Sequence, residues 1–85
     1  MEIIKMKLHN DEYAEIDEEM IINFFNEWSE TQLENYEKNE RLDGFIQDFI
    51  DNYDGPVILS NKEERHLFST LKNNSYIKNL IDGNE

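Results

Sequence analysis

Cysteine is absent from the 85-residue sequence, which also has a single proline and only three glycines. Without cysteine the chain cannot form a disulfide or bind a metal through thiolates. No stretch approaches the roughly 20 consecutive apolar residues that cross a bilayer, so we expect no transmembrane helix. The first nine residues also lack the apolar centre and the small-residue cleavage site of a signal peptide. We therefore expect a cytoplasmic protein.

Basic residues are scarce as well, since eight Lys and Arg face 20 Asp and Glu and the formal net charge is −12. So few bases cannot neutralise a phosphate backbone, which argues against direct binding of nucleic acid. The acidic excess is local, because residues 11–54 hold 15 acids and two bases whereas residues 55–85 hold four of each. Such an asymmetry indicates a surface for a basic partner, and it is also typical of helices that are merely well solvated.

The composition nevertheless favours a folded chain. Apolar residues make up 38% of the sequence and ten residues are aromatic. They recur at the regular spacings of helices and strands, which an acidic disordered tail does not show. A chain of this length is too short to divide into several domains. We expect one acidic domain over residues 1–85.

Alternating apolar and charged residues predict a half-buried strand over residues 2–8, with the even-numbered side chains inward. A short apolar run predicts a partner strand near residues 56–60, and Tyr13–Ile16 is a candidate third strand. Apolar periodicity and capping signals predict four helices, which lie near residues 17–39, 41–53, 61–72 and 75–82. The expected fold class is α+β, a mostly helical small domain with a short two- or three-stranded sheet.

The segment 17–39 is predicted either as one helix or as two. Asp17 is a suitable N-cap, and neither glycine nor proline follows within the segment. Capping-box patterns favour a break near residues 29–31. The apolar stripe of the following helix is out of phase with this segment, which predicts a kink or break between Lys38 and Arg41.

Acidic side chains would form one edge of a continuous helix in this segment. At a rise of 1.5 Å per residue, neighbours along this edge are roughly 4–12 Å apart and the edge extends over about 27 Å. This spacing is comparable with that of phosphates along a nucleic-acid strand. We expect the edge to bind the partner, and its members are Glu19, Glu27, Glu30, Glu34 and Glu37. Three aspartates on the outer face of the next helix are expected to extend it, namely Asp43, Asp48 and Asp51.

A purely structural alternative is that these acids stabilise helices through i,i+4 pairs with Lys38 and Arg41. Aromatic side chains offer a second kind of contact. Phe25 and Trp28 belong to an apolar face wider than so short a chain is expected to bury with ease. An uncovered aromatic would anchor a partner or a second copy of the chain, and burial in the core is the alternative. We include Trp28 and Phe25 among the expected partner-binding residues.

No pattern in the sequence indicates catalysis or metal binding. His9 and His66 are 57 positions apart and have no paired ligand motif. No serine has the surroundings of a nucleophile, and carboxylates are so abundant that no pair is singled out for acid–base catalysis. We expect a protein that is not an enzyme and that binds no metal and no cofactor.

In length, charge, acidic helical edge and lack of catalytic residues, the chain resembles the small acidic inhibitors of phages and mobile elements: DNA mimics, glycosylase inhibitors and anti-CRISPR proteins. The resemblance is one of profile and assigns no residue roles. It implies a phage-type inhibitor that occupies the nucleic-acid-binding groove of a basic nucleic-acid enzyme in a bacterial host cell. The alternative is an antitoxin, immunity or regulatory module that binds its partner through an apolar helix face.

Overall fold

The computed structural model describes residues 3–53 and 59–82, and it confirms the α+β class. In these residues two strands, β1 (Ile4–Lys7) and β2 (Tyr13–Ile16), precede four α-helices. The helices are α1 (Glu18–Thr31), α2 (Arg41–Asp51), α3 (Asn61–Lys72) and α4 (Ser75–Asp82). Two 3₁₀ turns, Leu33–Asn35 and Lys38–Glu40, connect α1 to α2.

The strands β1 and β2 form an antiparallel hairpin in which Ile4 lies opposite Ile16. The alternation predicted from the sequence is confirmed, because one face of the hairpin is buried; its buried side chains are Met6, Leu8, Ala14 and Ile16. The strand predicted near residues 56–60 lies mostly outside the described residues. Leu59 and Ser60, which are described, are not in a strand.

Helix ends follow local sequence signals. Asp17 caps α1, since its side chain accepts a hydrogen bond from the backbone N–H of Met20 at 2.9 Å. Ser60 and Glu63 form a reciprocal capping box at the start of α3, which satisfies two N–H groups that lack partners within the helix. The predicted bounds of the last two helices are confirmed, and α2 ends two residues earlier than predicted.

The segment 17–39 is not one helix. The helix α1 ends at Thr31, and the backbone at Tyr36 is extended. The predicted kink or break between Lys38 and Arg41 is placed too late in the chain: α2 begins at Arg41 as predicted, but there the chain passes from a 3₁₀ turn directly into it. The change of direction therefore occurs earlier, between the end of α1 and the second 3₁₀ turn.

Tertiary packing explains where α1 ends. In a continued helix each residue would be rotated by 100° from the preceding one. Because the helix instead ends at Thr31, the chain can change direction, and Leu33 and Tyr36 both pack against the core. The ring of Tyr36 stacks on Trp28 with their centroids 5.7 Å apart. Ser29 and Thr31 begin the capping-box patterns, but each donates its hydroxyl to a backbone carbonyl of the preceding turn. Neither residue therefore starts a new helix.

The helix α2 lies at the centre of the core, where it contacts α1, α3 and α4. Its predicted apolar stripe is buried through Phe45, Ile46, Phe49 and Ile50. Burial of one such side chain stabilises the fold by roughly 1.5–3 kcal/mol. Among the described residues no polar or charged side chain is fully buried, so the acidic excess lies at or near the surface. No helix in this part of the chain is both long and apolar enough to cross a membrane.

Candidate partner-binding surface

The first part of the expected acidic edge lies on α1, and we refer to Glu19, Glu27 and Glu30 as the α1 edge. All three are exposed, and Glu19 and Glu30 lie on the side of the helix away from the buried Ile21 and Trp28. Along the helix axis Glu27 and Glu30 are about 4.5 Å apart, and Glu19 and Glu27 about 12 Å apart. Within the described residues no base forms an ion pair with them.

Glu34 and Glu37, the connector acids, lie beyond the end of α1 and do not continue its edge. Glu34 belongs to the first 3₁₀ turn and Glu37 precedes the second, and both are exposed. The straight track of about 27 Å that a continuous helix would give is therefore wrong. The i,i+4 pairs are wrong as well, since in the described part of the chain neither acid forms an ion pair with Lys38 or Arg41.

The three aspartates of α2 differ in their surroundings. Asp43 is exposed and forms an ion pair with Lys72 at 3.0 Å. Asp51 is exposed and accepts a hydrogen bond from the side-chain amide of Gln47 at 3.0 Å. Asp48 is half-buried and faces the protein, so the prediction that all three lie on the outer face is wrong for Asp48.

Asp48 joins α2 to the aromatic residues of α1 and the connection. Its Oδ2 accepts hydrogen bonds from Nε1 of Trp28 at 2.8 Å and from the hydroxyl of Tyr36 at 3.3 Å. A buried indole N–H needs an acceptor of this kind. Burial raises the pKa of Tyr36 above its ordinary value, and the charge of Asp48 raises it further. The carboxylate therefore has a structural role.

The aromatic residues expected as anchors lie in or against the core. Trp28 is only 2% exposed, so it offers almost no surface to a partner. Phe25 is half-buried, and its ring centroid lies 6.4 Å from that of Trp28 and 5.8 Å from that of Phe45. The alternative prediction of core burial is confirmed for Trp28, whereas Phe25 keeps part of its surface open to solvent.

A cleft of about 290 Å³ lies between α1 and α2, and no spacing in the sequence indicated it. Glu27 and Asp48 contribute carboxylates to it, and Phe24 and Trp28 contribute aromatic rings. The cleft brings Glu27 of the α1 edge close to Asp48, which the sequence analysis had placed on the outer face of the next helix. Spacing could not reveal this contact, because Trp28 and Asp48 are 20 positions apart.

Basic side chains gather at another place, in a groove of about 620 Å³ between β1 and the start of α3. The groove is lined by Lys5, Lys7, His9, Lys62 and His66 together with Glu63. Glu63 accepts a hydrogen bond from the backbone N–H of His9 at 2.7 Å, so it ties the hairpin to α3. The N–H of Ser60 lowers the pKa of Glu63, desolvation opposes this, and His9 lowers the pKa further, to about 2.

Metal binding has no geometric basis in residues 3–53 and 59–82, where no three His, Asp or Glu side chains come together to hold an ion. The candidate acidic surface comprises the α1 edge, the connector acids and the two exposed aspartates of α2, and other exposed acids lie elsewhere on the described chain. Comparison of the chain with protein-family models, with curated proteins and with solved structures finds no match.

Proposed function

We propose that this protein is a phage-type inhibitor that acts in the cytoplasm of a bacterial host, where it occupies the nucleic-acid-binding groove of a basic enzyme. It has no catalytic activity in this proposal. The observation that supports it is the set of exposed carboxylates on the α1 edge and the connector acids, for which the described residues supply no ion-pair partner. These charges repel one another, and a basic partner would relieve that repulsion.

The charge distribution is expected to affect both the rate at which a basic partner associates and the strength with which it binds. A net charge of −12 attracts a positively charged groove over several ångströms and raises the association rate at low ionic strength. Exposed ion pairs are individually weak, at about 0.2–1 kcal/mol each. Tight binding therefore requires several of them together with a few contacts that lose their water.

The break after α1 divides the proposed binding surface into two segments. The carboxylates of the α1 edge have helical spacing, whereas the connector acids follow a change of chain direction. A groove that fits this surface must accommodate both segments, which makes the arrangement more specific than a straight row of charges. Charge changes in either segment are expected to weaken binding.

The alternative function is an antitoxin, immunity or regulatory module that binds through an apolar helix face. Met20, on α1, is 36% exposed, and Phe25 retains some accessible surface. Burial of Trp28 removes the largest expected anchor from that face. Substitution of Met20 discriminates the alternative, because Met20→Ser changes the apolar surface and leaves the charge unaltered.

The test is capture of the partner from a bacterial host lysate by tagged protein, with identification by mass spectrometry. The variant Glu30→Lys/Glu34→Lys is compared with Glu12→Lys/Asp82→Lys, because both change the formal charge from −12 to −8 and replace exposed acids. We expect the parent protein to capture a nucleic-acid enzyme, which added salt and competing DNA release. We expect Glu30→Lys/Glu34→Lys to fail to capture it. Circular dichroism confirms that both variants remain helical.

Equal capture by the two charge variants would contradict the proposed acidic surface. Capture that resists both salt and DNA but is lost in Met20→Ser would instead support the apolar alternative.

A further inference from the structure

The cleft between α1 and α2 combines negative charge with aromatic surface. Its volume is about 290 Å³, and no Lys, Arg or His lines it. Glu27 is exposed on the α1 side and Asp48 is half-buried on the α2 side. Phe24 and Trp28 also line the cleft, and of these Phe24 is half-buried whereas Trp28 is 2% exposed. An occupant must therefore be cationic and must tolerate contact with aromatic rings.

Asp48 forms no ion pair with a basic side chain in the described part of the chain. Both of its hydrogen-bond donors, Trp28 and Tyr36, are neutral, and both bind the same oxygen, Oδ2. Among the described residues Oδ1 accepts no hydrogen bond from a side chain or from the backbone. The carboxylate is thus half-buried without a countercharge, although removal of a charge from water is costly unless it is paired. A cation in the cleft would supply that pairing.

The shape and lining of the cleft favour arginine over lysine. A guanidinium group is planar, stacks on aromatic rings and is less strongly hydrated than an ammonium group. It also presents several N–H donors at once, so it binds two carboxylates more readily than a single ammonium does. In the cleft those acceptors are Glu27 and Asp48, and the ring of Phe24 is half-buried beside them.

We propose that this cleft binds the guanidinium group of an arginine side chain presented by the partner. The inference rests on the proposed function in that grooves of nucleic-acid enzymes are rich in arginine. It goes beyond the proposed function because it assigns one arginine side chain of the partner to one site. The other exposed acids are proposed to act only through their combined negative charge. The cleft is on the described surface of the protein, so it can be tested without the partner.

The experiment is a titration of the ¹⁵N-labelled protein with a blocked Gly-Arg-Gly tripeptide, followed by nuclear magnetic resonance. The chain has one tryptophan, so the indole N–H of Trp28 gives a single resonance that reports on the cleft. We expect a saturable shift of this resonance and of the Gln32 and Asn52 side-chain amides, which also line the cleft. The lysine tripeptide is expected to bind more weakly, and the uncharged citrulline tripeptide is expected to leave the resonance unchanged.

Two variants test the carboxylates. Glu27→Gln is expected to weaken tripeptide binding by about two- to fivefold, and the matched control Glu19→Gln, on the same helix and equally neutralised, is expected to leave it unchanged. Asp48→Asn keeps an acceptor for Trp28 and Tyr36, and it is expected to weaken binding about tenfold or more. If Asp48→Asn fails to fold, the comparison of Glu27→Gln with Glu19→Gln still decides.

An indole resonance that does not move would overturn the arginine site, as would equal effects of Glu19→Gln and Glu27→Gln. Either result leaves the proposed function standing if partner capture remains sensitive to salt and to reversal of Glu30 and Glu34. A saturable response in the cleft that is weakened in Glu27→Gln but not in Glu19→Gln supports the arginine site even if the capture experiment fails.

Discussion

Gly44 provides the most demanding test of the packing around α2. Glycine inside a helix ordinarily destabilises it by about 1 kcal/mol relative to alanine. At this buried position, however, a β-carbon would lie 2.5 Å from Cε1 of Tyr36. The ring of Tyr36 is held by its stacking on Trp28 and by the hydrogen bond from its hydroxyl to Asp48. We therefore predict that Gly44→Ala destabilises the protein.

The magnitude follows from the contacts that the ring of Tyr36 must give up. Carbon atoms normally approach to about 3.5–4.0 Å, so the ring must move by about 1 Å or more. Loss of the stacking costs about 0.5–1.5 kcal/mol. The hydrogen bond to Asp48 is long at 3.3 Å, and its loss costs about 1.5 kcal/mol. After the helix gains about 1 kcal/mol from alanine, the net destabilisation is about 1–2 kcal/mol.

The assay is urea denaturation of Gly44→Ala, followed by circular dichroism and by the fluorescence of Trp28. The control is the same substitution in a Tyr36→Ala background, where no ring opposes the new methyl group. There we expect Gly44→Ala to stabilise the protein by up to about 1 kcal/mol, so the two effects have opposite signs. A double-mutant cycle then gives the coupling directly. Equal effects in both backgrounds, or stabilisation in the parent protein, would refute this account of Gly44.

Two further predictions concern charge. The pKa of Glu63 is lowered to about 2 from 4.5, so its stabilising effect is complete above pH 4.5 and is lost as the pH falls towards 2. The stability difference between the parent protein and Glu63→Gln, measured by urea unfolding at each pH, should shrink over that range; a constant difference would contradict this. The net charge of −12 opposes folding, so we expect the melting temperature to rise between about 10 mM and about 300 mM salt as the Debye length falls from about 30 Å to below about 8 Å. An unchanged melting temperature would count against self-repulsion.

Structural features that depend on a few neighbouring residues were predictable from the sequence. Asp17 was identified as an N-cap from residue type and position, and the structure gives it the expected hydrogen bond. The bounds of α3 and α4 and the inward face of the hairpin were predictable for the same reason. Each of these features depends on interactions within about one helical turn or on simple alternation along a strand.

The candidate surface was predictable in composition and only partly in arrangement. The exposure of Glu30 follows from its position opposite the apolar face of α1. The capping-box patterns gave a break near residues 29–31 as one alternative, and α1 does end at Thr31, but they did not show that Tyr36 then stacks on Trp28. A buried tryptophan is known to need an acceptor, but nothing in the order of residues identified Asp48 as that acceptor.

The sequence by itself determined the α+β class, the acidic half of the chain and the N-cap of the first helix. These properties depend on composition and on contacts between residues close along the chain. Only the tertiary structure decided whether the segment 17–39 is one helix or is broken after Thr31, which aspartate turns inward and which residues form the cleft. The physical reason is that these outcomes depend on packing between side chains 12 and 20 positions apart around Asp48, and such contacts leave no periodic trace in the sequence.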